Sequence, residues 1–140
     1  MTRIVCVGSF VAVLVGLALA GCSDSDAEAR AGVAYNVKVA RDMLMEVKAY
    51  IDEDGYAPQS NSQAATAVAH RTCVAMLPRA VRENSTGETR KELVAKASQL
   101  RETFINEVMG SLGQDPPDIE AGKQAIDKCL AILDEMDAVR

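Results

Sequence analysis

An all-α fold, an antiparallel four-helix bundle, is predicted by three features of the 140-residue chain. Two apolar stripes keep unbroken heptad spacing, short turn-forming segments separate the helical stretches, and no stretch alternates β-branched with polar residues as a half-buried strand would. Hydrophobic residues make up 49% of the chain against a net charge of -5, which suits one packed domain and excludes a disordered chain. The acidic balance and the 4% aromatic content oppose phosphate binding and base stacking, so no nucleic-acid partner is expected.

The first helix is expected over residues 27–54, which contain no Pro and one Gly. Val33, Val37, Ala40, Leu44, Val47 and Ile51 step by 4, 3, 4, 3 and 4, the seam of a bundle helix, and Met43 and Tyr50 widen it. Asp54-Gly55-Tyr56-Ala57-Pro58 breaks it. Ser60 to Ser62 offer N-caps for a second helix with Ala65, Ala69, Cys73 and Met76 or Leu77 on one thin, Ala-rich face. Pro78 should kink or end that helix, since its ring crowds the preceding turn and it has no N–H to donate.

Asn84-Ser85-Thr86-Gly87 forms the next break, and Ser85 with Glu88, or Thr89 with Glu92, has capping-box spacing. Leu93, Ala97, Leu100, Phe104 and Val108 form the third stripe, with Ile105 and Leu112 in support and Gly110 and Gly113 as stop signals. Asp115-Pro116-Pro117-Asp118 reads as a helix start with Asp115 as cap. Ile119, Gly122, Ile126, Cys129, Leu133 and Met136 give the second clean heptad stripe. Short connections make the four helices antiparallel neighbours.

The N-terminal segment is an address. Arg3 is the single charge before Asp24, and residues 4–21 are uncharged and mostly apolar. Length alone suits a short membrane anchor or a secretory signal. The run ends in Leu19-Ala20-Gly21-Cys22, which resembles the lipobox of bacterial lipoproteins. That resemblance implies a signal peptide over residues 1–21, cleavage by signal peptidase II, and a covalent lipid such as palmitate on Cys22. Residues 22–26 would then be a short tether and residues 27–140 the bundle domain. Several acyl chains on one residue hold a protein firmly, since each buried CH₂ contributes about 0.8 kcal/mol. Ser23 resembles the outer-membrane class of such lipoproteins, which would place the protein on the outer membrane facing the periplasm if the envelope is Gram-negative.

Cys73 and Cys129 would remain in an oxidising compartment, each about a dozen residues into its helix, and a disulfide between them is the expected pairing. In a square bundle their helices stand on a diagonal, beyond the Cα separation a disulfide allows, so the bridge requires a flattened bundle; two buried free thiols are the alternative. His70 with Cys73 and Cys129 has weak spacing for a metal site, and neither a c-type haem motif nor a nucleophile elbow is present. No metal, no catalytic set and no cofactor beyond the Cys22 lipid is expected.

Charge is unevenly spread. Residues 71–101 carry seven bases against three acids: Arg71, Arg79, Arg82, Arg90, Lys91, Lys96 and Arg101. Attraction to acidic neighbouring helices explains such a set, and so does an acidic partner or anionic envelope polymer. Tyr56, Pro58, Leu112, Pro116 and Pro117 in the membrane-distal loops are the expected partner surface. The functional expectation is a non-enzymatic, lipid-anchored helical lipoprotein acting through an envelope protein partner, similar in size and architecture to pilotins and to exclusion or immunity lipoproteins. The alternative is a bundle that carries a small ligand or haem in its interior.

Overall fold

The computed structural model describes the backbone of residues 10–139 and the side chains of residues 27–139. Four helical rods make up the fold. The first is α1 (Phe10–Asp54). The second joins α2 (Asn61–Arg71), a π-helical turn (Thr72–Met76) and α3 (Leu77–Asn84). The third joins α4 (Gly87–Thr103), a second π turn (Phe104–Val108) and the short α5 (Met109–Leu112). The fourth is α6 (Ile119–Val139). No strand occurs among the described residues, and the protein is an all-α bundle. The expected signal segment, tether and acylated Cys22 lie outside the described side chains.

The heptad stripes form the core. Val33, Val37, Ala40, Leu44, Val47 and Ile51 are all buried on α1, and Gly122, Ile126, Cys129, Leu133 and Met136 on α6. The third rod buries Leu93, Ala97, Leu100, Phe104, Val108 and Leu112, while Ile105 is exposed. The second rod buries Ala69, Cys73 and Leu77 but also the hydroxyls of Ser62, Thr66 and Thr72. Each hydroxyl donates to a nearby carbonyl: Ser62 to Gly55 at 2.7 Å, Thr66 to Ser62 at 2.7 Å and Thr72 to Val68 at 3.0 Å. Small satisfied side chains therefore line the face of α2.

Several helix ends differ from expectation. Ser60 caps α2 as expected, accepting from the Gln63 N–H at 3.2 Å. Pro78 does not end the second rod. The chain widens into the π turn immediately before it, with the Leu77 N–H bonded to the Thr72 carbonyl, and resumes as α3. A wider turn relieves the clash between the proline ring and the preceding turn. Neither capping box forms at α4. Thr86 is its N-cap residue without a side-chain bond, Ser85 Oγ donates back to the Val81 carbonyl, and Glu88 pairs with Lys91. Gly110 lies inside α5, and Gly113 follows its end. Asp118, not Asp115, caps α6, its carboxylate accepting from the Ala121 N–H at 3.0 Å.

α1 packs on α2, α3 and α6, and α4 packs on α3 and α6. Neither α1 with α4 nor α2 with α6 is a principal packing pair, so the rods stand in a ring with the second and fourth on a diagonal. The α1–α6 boundary carries a row of ion pairs: Arg41 with Asp134 and Asp137, Lys48 with Asp127 at 2.6 Å, and Asp52 with Lys123 at 2.5 Å. Residue numbers rise on α1 as they fall on α6, so these two helices run in opposite directions. Partly exposed pairs of this kind are each worth at most about 1 kcal/mol, so they help set register more than they stabilise.

One close approach fixes the third rod against the fourth. A Cβ added at Gly122 would lie 2.5 Å from Leu112 Cδ2 and 2.8 Å from its Cγ, and Leu112 is itself buried. Gly122→Ala gains about 0.8–1 kcal/mol of helix propensity but overpacks this contact by about 1–3 kcal/mol. Urea unfolding should show a net loss of stability in the native background. In a Leu112→Ala background, which itself costs about 2–5 kcal/mol, the same substitution should become stabilising.

Candidate functional site

The middle of the bundle holds the residue types with the most intrinsic chemistry. Cys73 lies in the first π turn and Phe104 in the second, and the two turns pack on one another. The second turn also packs on α6, which carries Cys129. The expected Cys73–Cys129 disulfide is not formed: both are buried free thiols. The second and fourth rods are not a principal packing pair, and it is this diagonal placement that in a square bundle puts two cysteines beyond disulfide reach. Burial pushes the Cys73 thiol well above its ordinary pKa, and the neighbouring Cys129 pushes it further. Burial also raises Cys129, to about 12; Glu107 adds to the shift and Lys128 opposes it. Thiols held neutral in this way are inert packing groups rather than nucleophiles.

His70 does not join them as a ligand set. It is half-buried, with its ring 5.9 Å from that of Phe104 at a 57° tilt. No group of three metal-ligating side chains occurs among the described residues. Met136 is core, Met43 packs against the core, and Met45, Met76 and Met109 are exposed.

The distal loops keep only part of the expected partner surface. Pro58 and Pro116 are exposed, whereas Tyr56 and Pro117 are half-buried and Tyr56 packs on the core. Leu112 must be removed from that surface: it is 1% exposed and fills the space over Gly122. An apolar residue one step before a glycine stop looks like a loop anchor in sequence, but here it closes the core.

The basic residues divide into two groups. Arg79 pairs with Glu83 and Lys91 with Glu88 within their own rods, each at 2.7 Å, and Lys96 reaches Glu135 of α6. Arg71, Arg82, Arg90 and Arg101 are exposed and have no carboxylate partner among the described residues. Attraction between helices thus accounts for Lys96 but not for these four. Arg90 and Arg101 are eleven residues apart on α4, about three turns, and so share a face.

A cavity that sequence reasoning missed lies where the α3–α4 turn meets α1 and the end of α6. Its volume is about 320 Å³. Val33, Leu93 and Val139 supply apolar lining, and Asn84, Ser85, Thr86 and Thr89 surround it with polar groups. Arg30 is the one charged residue among those lining it. The Asn84 side chain lies over Gly32, whose added Cβ would be 3.5 Å from Nδ2. In sequence, Asn84 to Gly87 signal only a break, and nothing announces that Arg30, more than fifty residues earlier, faces them.

Among the described residues, no helix is long and apolar enough to cross a membrane. No protein-family model, curated protein or solved structure matches this chain.

The two thiols generate a direct check. In the folded protein, Cys73 and Cys129 should resist a neutral thiol reagent at about pH 8 and label fully in concentrated urea. The unfolded chain loses these protons first, near pH 8.5, so their contribution to stability should fall as pH rises from about 8.5 towards the folded values. Unfolding midpoints of the native protein and a Cys73→Ala/Cys129→Ala variant across that range would measure it.

Proposed function

We propose that this protein is a membrane-anchored, non-enzymatic lipoprotein whose bundle presents an arginine-bearing face to an acidic protein partner in the cell envelope. The observation that carries the reading is the set Arg71, Arg82, Arg90 and Arg101, exposed and unmatched by carboxylates among the described residues. In the same fold Arg41, Lys48 and Lys123 are matched across the α1–α6 boundary. Guanidinium groups left without an internal partner suit bidentate recognition of carboxylates on another molecule and steer its approach. The resemblance of Leu19-Ala20-Gly21-Cys22 to a lipobox supports the anchor, with Cys22 as the acylated residue and export to the envelope as the consequence. Anchoring confines such a partner to the membrane surface and raises its effective concentration.

Two experiments test the two halves separately. Cys22→Ser should move the protein from the membrane fraction and remove the acyl mass from the intact chain, while far-ultraviolet circular dichroism stays helical; membrane retention without acylation would overturn the anchor. A photo-cross-linking residue at position 90 or 101 should give a discrete protein adduct in whole cells, and one at position 42 should not. Arg82→Glu with Arg71→Glu should reduce that adduct at least about tenfold, the equivalent of 1.4 kcal/mol or more. An adduct that is absent, or indifferent to charge reversal, would overturn the arginine face.

A further inference from the structure

The arginine face does not use the cavity between the α3–α4 turn, α1 and the end of α6. We propose that this cavity is a binding site for the anionic headgroup of a membrane phospholipid. Its chemistry is two-sided. Val33, Leu93 and Val139 offer an apolar surface, while Arg30 supplies a single positive charge with no carboxylate among the lining residues. The side chains of Asn84, Thr86 and Thr89 have no hydrogen-bond partner among the described residues. One amide, two hydroxyls and one guanidinium thus line one volume, and none of them has a hydrogen-bond or ion-pair partner among the described residues. A phosphate diester offers several acceptor oxygens and one negative charge, and its glycerol and first methylenes match the apolar lining. The volume, about 320 Å³, is that of a small-molecule site rather than of a lone ion.

Position favours the same ligand. Arg30 comes eight residues after Cys22, a span of about 12 Å as helix and under about 29 Å if fully extended. Arg82 and Arg90 flank the turn that forms the polar wall, and the two carboxylates nearer to it, Glu83 and Glu88, are already paired with Arg79 and Lys91. This orientation towards the bilayer rests on acylation at Cys22; the chemistry of the cavity does not.

The test uses the full-length protein in neutral detergent with soluble short-chain lipids. Dihexanoyl phosphatidylglycerol should bind and shift the methyl resonances of Val33, Leu93 and Val139. Dihexanoyl phosphatidylcholine, which carries no net charge, should bind at least about tenfold more weakly. Arg30→Gln should weaken the anionic lipid by a similar factor. Thr89→Trp, at an exposed rim position, should block it while the helical signal and unfolding midpoint stay unchanged. Equal binding of the two lipids, or anionic binding indifferent to both variants, would overturn the site. No binding of the short-chain lipid to a protein that is acylated and floats with vesicles would overturn the headgroup site and leave the anchor standing. Anionic binding to a chain with no acyl group on Cys22 would support the cavity and count against the anchor.

Discussion

The seam of α1 is the surface on which the rest of the bundle is assembled. Val33, Val37, Ala40, Leu44, Val47 and Ile51 are all buried, and α1 packs on α2, α3 and α6. Heptad spacing keeps these six side chains in one stripe over about five turns, so the neighbouring rods must follow its line. The ion pairs from Arg41, Lys48 and Asp52 to α6 lie beside this stripe and keep the fourth rod in step with it. The second rod can lie close because Ser62, Thr66 and Ala69 are small and the two hydroxyls are satisfied locally.

Ring-like packing around that seam decides the fate of the chemically active residues. It sets the second and fourth rods on a diagonal, where Cys73 and Cys129 share the core without a bond. It lets the two π turns meet, and it turns His70 against Phe104 rather than towards either thiol. The interior is thereby committed to packing. Groups still able to bind another molecule lie outside it, on the arginine-bearing rods and around the cavity beside the α3–α4 turn. Under the proposed anchoring at Cys22, these are the places a bilayer or a neighbouring protein would reach.

Much of this architecture was legible in the chain. The α1 and α6 stripes, the breaks after Asp54 and at residues 84–87, and the Ser60 cap are local patterns, and each is found as read. Errors gathered where a residue had two local options. Ser85 has capping-box spacing but bonds back to Val81, and Asp118 caps α6 in place of Asp115. Leu112 reads both as support for the third stripe and as part of a loop surface, and a facing Gly122 on another rod makes room for it in the core. Pro78 reads as either a kink or an end, and a π turn carries the rod through it.

The sequence alone determined the all-helical class, the four rods and the apolar stripes, because periodicity and turn chemistry act within a few residues of chain. It also supplied the lipobox resemblance, which depends on four consecutive residues. Tertiary structure alone decided which rods are neighbours and which are diagonal, and hence that the two thiols remain free. It decided which arginines find carboxylates and which do not. It also brought Arg30, Asn84, Thr89 and Val139 to one cavity. Those outcomes depend on distances between residues far apart in sequence, and packing, not local pattern, sets such distances.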